Sequence, residues 1–353
     1  MSDEKQPNNS HIPPLVLRLA RYLLMLILGG LAVNLILPQL GNLRYSLQVL
    51  QSMLWWAVGL AIAGQIGSYI AGGILLRIIV RMTGKSVPLV PATLIPMASG
   101  SIGLVAGGIV GVIAATYRWL RRYHIDGNGA LLASWLPIQL ENAMVIGLAI
   151  ISLARLLATG TLTALQIIGF SLVLLTLLLT VAAVVWSVVR RDQTMALAQK
   201  VSGGWDRLLR RPHDEEATRN NVQQFLDTWK LLRGGGWRGP VWAKALDLGL
   251  DIVTLYFIFL GARFPVRLDV LLTGYGLPLL LGKVSFLPGG VGIVEATMTA
   301  LYTGLGVPSP VTIIVVLIYR FLTFWIPTIL GFLLVPYLNR LNGQNGNHKQ
   351  IDG

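Results

Sequence analysis

Residues 87–117 read VPLVPATLIPMASGSIGLVAGGIVGVIAATY, and residues 268–306 read LDVLLTGYGLPLLLGKVSFLPGGVGIVEATMTALYTGLG. Each run is longer than the about 20 apolar residues that cross a hydrocarbon core. Neither reads as one straight helix. The first carries Pro88, Pro91 and Pro96 ahead of a glycine-rich centre, and the second carries Pro278 and Pro288-Gly289-Gly290. Proline lacks a backbone donor and its ring clashes with the preceding turn, so both stretches are expected to be broken, as re-entrant hairpins or discontinuous helices.

Around them the chain is apolar in blocks. Of 353 residues, 54% are hydrophobic and 12% charged, against about a quarter charged in a soluble chain. Uninterrupted runs at 17–38, 50–75, 129–154, 161–189, 241–262 and 309–337 read as spanning helices. The expected class is an all-α polytopic membrane protein: about six full spans, two broken helical hairpins and a candidate inverted repeat. A β-barrel is excluded, because barrel strands are short and alternate. The first run follows Arg18 and Arg21 and has no small-residue cleavage site after it, so it reads as a retained helix rather than a signal peptide.

Five segments follow: a polar tail (1–14), a membrane half (15–189), a polar stretch (190–240), a second membrane half (241–337) and a polar tail (338–353). In 190–240, Trp205 and Trp229 lie on apolar stripes, and Asp214-Glu215-Glu216 opens the second of two helices that Gly234 closes. Both read as interfacial helices on an anionic leaflet.

Charge sets the orientation. With both termini cytoplasmic and 87–117 returning to its starting side, only Arg44, Arg155, Arg263 and Arg267 face out. Lys283 and Arg320 lie at depth, and the remaining 22 of 28 Lys and Arg fall inside, as the positive-inside bias requires. The segment 268–306 then enters from the opposite side. Ser101-Ile-Gly-Leu-Val105 resembles Gly290-Val-Gly-Ile-Val294, and broken segments entering from opposite faces are the trace of an inverted repeat; chance likeness between glycine-rich helices is the alternative. The cell inner membrane is the expected location.

The formal charge of +13 is explained by these flanking cations and by contacts with lipid headgroups, not by nucleic acid. The chain has no cysteine, and its four histidines are not at ligand spacing. Thiolate chemistry is therefore excluded, no metal or other cofactor is expected, and no catalytic set stands out. Membrane lipids are the expected partners, and a homo-oligomer is compatible with the sequence.

Ionisable residues at depth are functional candidates. Glu141 sits mid-span in WLPIQLENAMVIG, facing either a polar interior or a hydrogen-bonded neighbour. Asp247 and Asp251, four apart on one face, are either functional groups at depth or, in the first turns of 241–262, simply at the membrane interface. Glu295 and Arg320 are expected to pair, either to hold the fold or to bind a headgroup. Backbone N–H groups around Pro288-Gly289-Gly290 suit an anion, and Lys283 adds a positive charge for a phosphate.

The segment FLPGGVGIVEATMTALYTGLGVPSPVTIIVVLIYRFLTFWIPTILG closely resembles the signature of the lysylphosphatidylglycerol synthase transmembrane (flippase-like) family. The matching positions are Pro288, Gly289, Gly290, Gly292, Glu295, Ala296, Tyr319, Arg320, Trp325, Pro327 and Gly331. The resemblance implies an integral membrane domain that translocates aminoacylated phospholipids or other glycero- or polyprenyl-linked lipids. Two departures stand out. The chain has no soluble aminoacyl-transferase domain, so aminoacylation is not expected, and PMASGSIGLVAGG lacks the acidic residue and arginine that relatives tend to carry there. The expected function is therefore lipid translocation or lipid-binding transport. A membrane-embedded enzyme or accessory subunit acting on a lipid-linked substrate, and a small-solute transporter, are the alternatives. The expected site comprises Pro288, Gly289, Gly290, Gly292, Glu295, Arg320, Lys283 and Glu141.

Overall fold

The computed structural model describes residues 48–159, 175, 179, 236–285 and 287–340. Helices α1 (Trp55–Arg81), α2 (Leu89–Val105), α3 (Ile109–Arg122) and α4 (Gly127–Thr159) form the first part. The second holds α5 (Arg238–Gly261), α6 (Leu268–Val284), α7 (Ile293–Gly304), α8 (Ser309–Arg320) and α9 (Ile326–Arg340). There is no strand among the described residues. Among them, α1, α4 and the continuous run Ser309–Arg340 are long and apolar enough to cross a membrane. Helix α5 has 24 residues but carries Lys244, Asp247 and Asp251. The runs expected at 17–38 and 161–189, and the interfacial helices with Trp205 and Trp229, lie outside the described residues apart from isolated positions.

Both long segments are broken: the second at Pro288-Gly289-Gly290 as expected, the first at none of its three prolines. Pro88 is the N-cap of α2 and Pro91 lies in its first turn, where a helix needs no N–H donor. Pro96 and Pro278 sit inside α2 and α6 without ending them, as membrane helices tolerate when neighbours and side chains satisfy the freed groups. Glycines make the breaks. Between α2 and α3, Gly107 (φ 83°) and Gly108 (φ 63°) turn the chain through left-handed backbone. Between α6 and α7, Pro288–Gly290 forms one 3-10 turn, and Gly289, Gly290 and Gly292 all have positive φ.

The local likeness noted in the sequence fails as an alignment. Ser101–Val105 is the last turn of α2, before its break, whereas Gly290–Val294 runs from within its break into the start of α7.

Contacts sort the helix ends into two groups. At one end Gly129, which opens α4, lies against Thr83 after α1, and Gly239 of α5 lies against Ile78. There Arg121 donates to the Ile125 carbonyl, and Trp119 and Arg122 donate to Asn339 near the end of α9. Arg81, Lys85, Arg118 and Arg340 mark the same end. At the other end Leu54 N–H donates to the Gly261 carbonyl, Arg263 to Ser52, and Arg155 pairs with Asp269 at 2.6 Å. Tyr302 near the end of α7 donates to Leu271 at the start of α6. So α2 and α3 start and finish at the basic end, and α6 and α7 at the opposite one.

Glycines let the helices close. A Cβ on Gly73 would lie 2.1 Å from Thr93 Oγ1 of α2, and one on Gly331 of α9 would lie 2.1 Å from Ser101 Oγ. Outward, Ile62, Ile66, Ile70 and Ile74 form a four-residue-spaced exposed ridge along α1, the surface a helix presents to hydrocarbon. Residues Phe321–Trp325 form a π turn joining α8 to α9. Pro327 removes the donor that would bond the Thr323 carbonyl, which accounts for the local widening.

Candidate functional site

Helix α5 directs Lys244, Asp247, Asp251 and Thr254 toward its helix neighbours, at the three- and four-residue spacing of one face. Lys244 is 8% exposed. Its ammonium donates to Asp247 at 2.7 Å and to Glu141 of α4 at 3.0 Å. Glu141 also takes Lys283 of α6 at 2.5 Å, and Ser68 of α1 donates to Asp247 at 2.7 Å. Three helices thus share one chain of alternating charges, Lys283–Glu141–Lys244–Asp247, and α1 adds a hydroxyl donor at its end. A charge at this depth is costly alone, and each here has an opposite partner.

This chain borders a cleft of about 420 Å³. Tyr69 from α1, Thr93, Met97 and Gly100 from α2, Gly289 from the turn, and Phe324 and Thr328 from the last helix complete its wall. The two broken segments therefore meet here, though not tip to tip. The middle of α2 faces Gly289, while Val105, Ile109 and Val110 around the α2–α3 turn are exposed.

Glu295 and Arg320 pair as expected, Arg320 Nε donating to Glu295 Oε1 at 2.6 Å. Arg320 has further partners: its Nη2 donates to the Gly289 carbonyl at 3.0 Å, and its guanidinium lies 4.4 Å from the Phe324 ring centre. Glu295 Oε2 accepts the Gly292 N–H at 2.6 Å, an acidic side chain capping its own helix from the third position. The PGGVGIVEA pattern thus encodes a self-capped turn clamped by an arginine.

Three expectations change with this geometry. The anion expected at the N-terminus of α7 is supplied by the chain's own Glu295, and Gly290 N–H is committed to the Leu287 carbonyl. Lys283 points to Glu141 and forms an ion pair, instead of standing ready for a phosphate. Asp247 and Asp251 are not at a water interface: α5 begins at Arg238, which carries both into the helix packing.

Asp251 has its own surroundings. Tyr275 of α6 and Tyr319 of α8, 1% and 2% exposed, both donate to Asp251 Oδ2 at 2.6 Å. Their rings meet edge to face at 6.3 Å.

Sequence reasoning missed Lys244, counting it among the flanking cations of 190–244. Its signal was available as Lys244-x-x-Asp247-x-x-x-Asp251, one face of one helix. Ser68, Tyr69 and Tyr275 carried no such signal, since their partners lie on other elements.

A family model described as the lysylphosphatidylglycerol synthase TM region matches residues 22–331. Among curated proteins, a UPF0104 membrane protein of Pyrococcus horikoshii is 40% identical over 89 residues, 25% of this chain and 26% of that protein. One from Methanocaldococcus jannaschii is 25% identical over 131 residues, 36% of this chain and 39% of its own length. One from Methanothermobacter thermautotrophicus is 26% identical over 171 residues, 46% and 48% respectively. The matches thus span at most about half the length of these relatives.

Proposed function

The chain belongs to the lysylphosphatidylglycerol synthase TM region family, and from that membership we propose that it moves a phospholipid or polyprenyl-linked lipid across the cell inner membrane. The observation that carries the reading is the cleft of about 420 Å³ bordered by Glu141, Lys244 and Asp247, where both broken segments converge. A headgroup crossing hydrocarbon needs polar partners at depth, and irregular backbone at depth is tolerated where it lines a cavity.

The element order supports an inverted repeat. A span, a hairpin from the basic end and a return span (α1, α2–α3, α4) are followed by a span, a hairpin from the opposite end and a return (α5, α6–α7, α8–α9). In transporters so built, substrate sites lie at the repeat interface near the midplane. We assign the basic end to the cytoplasm by the positive-inside rule, with both termini and residues 190–240 on that side.

Each site residue then has a role. Pro288, Gly290 and Gly292 form the turn, and Glu295 with Arg320 clamps it. Gly289 and Glu141 face the headgroup, and Lys283 holds Glu141 from the rim. The protein acts by binding and moving, without a covalent step.

The test uses purified protein in vesicles carrying a fluorescent phospholipid in both leaflets. After an impermeant quencher is added outside, continued loss of inner-leaflet fluorescence is expected. Loss confined to the outer leaflet, as in protein-free vesicles, rules the reading out.

A further inference from the structure

Helices α1 and α5 pack antiparallel, and two contacts fix their register. Ser68 donates to Asp247, and one to two turns away Thr254 donates to the Ala61 carbonyl at 3.3 Å. Ala61, Gln65 and Ser68 form one stripe on α1, and Thr254, Asp251 and Asp247 form the facing stripe on α5. The rung between the two contacts therefore brings Gln65 level with Asp251.

Gln65 is 4% exposed, and among the described residues its Oε1 has no hydrogen-bond partner. Tyr69, one turn along the same face of α1, lines the cleft and donates to the Leu322 carbonyl at 2.6 Å. An acceptor so enclosed normally has a donor, and leaving one unmatched costs folding free energy. No Lys, Arg or His nitrogen among the described residues lies within ion-pair distance of Asp251. Its two tyrosine donors both use Oδ2, which leaves Oδ1 on the carboxylate for a proton.

We propose that Asp251 is a proton-binding site, whose acid form bridges Oδ1–H to Gln65 Oε1 and whose base form is held by Tyr275 and Tyr319. The proton arrives as H⁺ from the cleft, forms the O–H bond on Oδ1, and leaves as H⁺ when that bond breaks. The groups facing Asp251 are Tyr275 of α6, Tyr319 of α8 with the neighbouring Arg320, Tyr69 of α1, and Asp247 and Lys244 of α5 itself. Lys244 and Asp247 border the cleft, so a change in their pairing alters the charge next to the proton. Using the proton to drive transport rests on the lipid-moving reading; the proton site itself does not.

Two measurements on the full chain in vesicles of phosphatidylethanolamine and phosphatidylglycerol test this. In an infrared pH titration, the wild type is expected to show a carboxylic-acid C=O band that disappears as pH rises. Asp251→Asn, which keeps a donor for Gln65, should lack that band. Tyr275→Phe removes a donor that favours the carboxylate, so the midpoint of the band should move up by about one pH unit. A band unchanged in Asp251→Asn, or a midpoint that Tyr275→Phe leaves in place, overturns the proposal.

The second measurement imposes a pH gradient on vesicles holding a pH dye. Proton flux is expected with the wild type and not with Asp251→Asn. Flux that persists in Asp251→Asn, or that follows a sodium gradient instead, overturns the coupling of this proton to transport, while the infrared titration decides the proton site. If no phospholipid crosses but the infrared titration holds, the lipid reading fails and the proton site stands.

Discussion

Replacing Glu295 with alanine tests what the PGGVGIVEA turn is for. In the native protein Glu295 does two jobs: it neutralises Arg320 at 2.6 Å and caps α7 through Gly292 N–H at 2.6 Å. The Arg320 side chain is 7% exposed, so Glu295→Ala leaves a guanidinium away from water with only a carbonyl and a ring as partners. Orphaning one member of a buried pair costs about 3–5 kcal/mol, and the lost cap alone accounts for about 1 kcal/mol of destabilisation. Unfolding by ionic detergent in mixed micelles should register a loss in that range. The double variant Glu295→Gln with Arg320→Gln removes both charges. Its loss should fall short of the sum of the two single variants by about 2–3 kcal/mol, the coupling of neighbours in one network. Because Arg320 lies behind Gly289 and Phe324 rather than in the cleft wall, the folded double variant should still move lipid. Strict additivity, or a folded double variant that is inactive, would refute this account of the clamp.

Other substitutions probe the packing, the cleft and the sidedness. Gly73→Ala places a Cβ 2.1 Å from Thr93 Oγ1 and 2.9 Å from its Cα and should cost about 1–3 kcal/mol, whereas nothing lies within 4 Å of a Cβ at Gly72. Gly72→Ala should therefore be neutral or raise stability by up to about 1 kcal/mol in the same unfolding assay. Glu141→Gln leaves Lys244 paired with Asp247 and takes the ion-pair partner from Lys283, the Glu141 and Lys283 side chains being 39% and 30% exposed. Its stability loss should stay near about 1 kcal/mol, while lipid movement in vesicles should fall steeply; unchanged transport would remove Glu141 from the path. The chain has no cysteine, so single cysteines at Asp126 and Gly306 should label from opposite sides of the membrane. Labelling of both from one side contradicts the two-ended arrangement.

What could be read from the sequence was whatever depends on local composition. Runs such as 129–154 and 309–337 appear as α4 and as the continuous Ser309–Arg340, because spanning hydrocarbon constrains each segment by itself. The Glu295–Arg320 pair was also legible, since two costly charges in neighbouring segments have few other partners. The break at Pro288-Gly289-Gly290 was legible too, but the one in 87–117 was located less well. Proline is conspicuous, but Pro91 falls where no donor is required and Pro96 and Pro278 are absorbed, whereas the turn is made by Gly107 and Gly108. Apart from the local Lys244–Asp247 pair, the polar chain was invisible because its bonds join residues 103, 142 and 179 positions apart. Those separations close only when α1, α4, α5 and α6 pack together.

The central claim is that a lipid headgroup passes through the cleft between the two broken segments, and photo-crosslinking tests it most directly. A photoreactive residue at Met97, in the cleft wall, is compared with one at Ile62, on the outer ridge of α1, using a phospholipid tagged on its headgroup. The account predicts crosslinks to the headgroup from Met97, reduced by Glu141→Gln, and none from Ile62. Headgroup crosslinks from Ile62 alone, with Met97 silent, would contradict it.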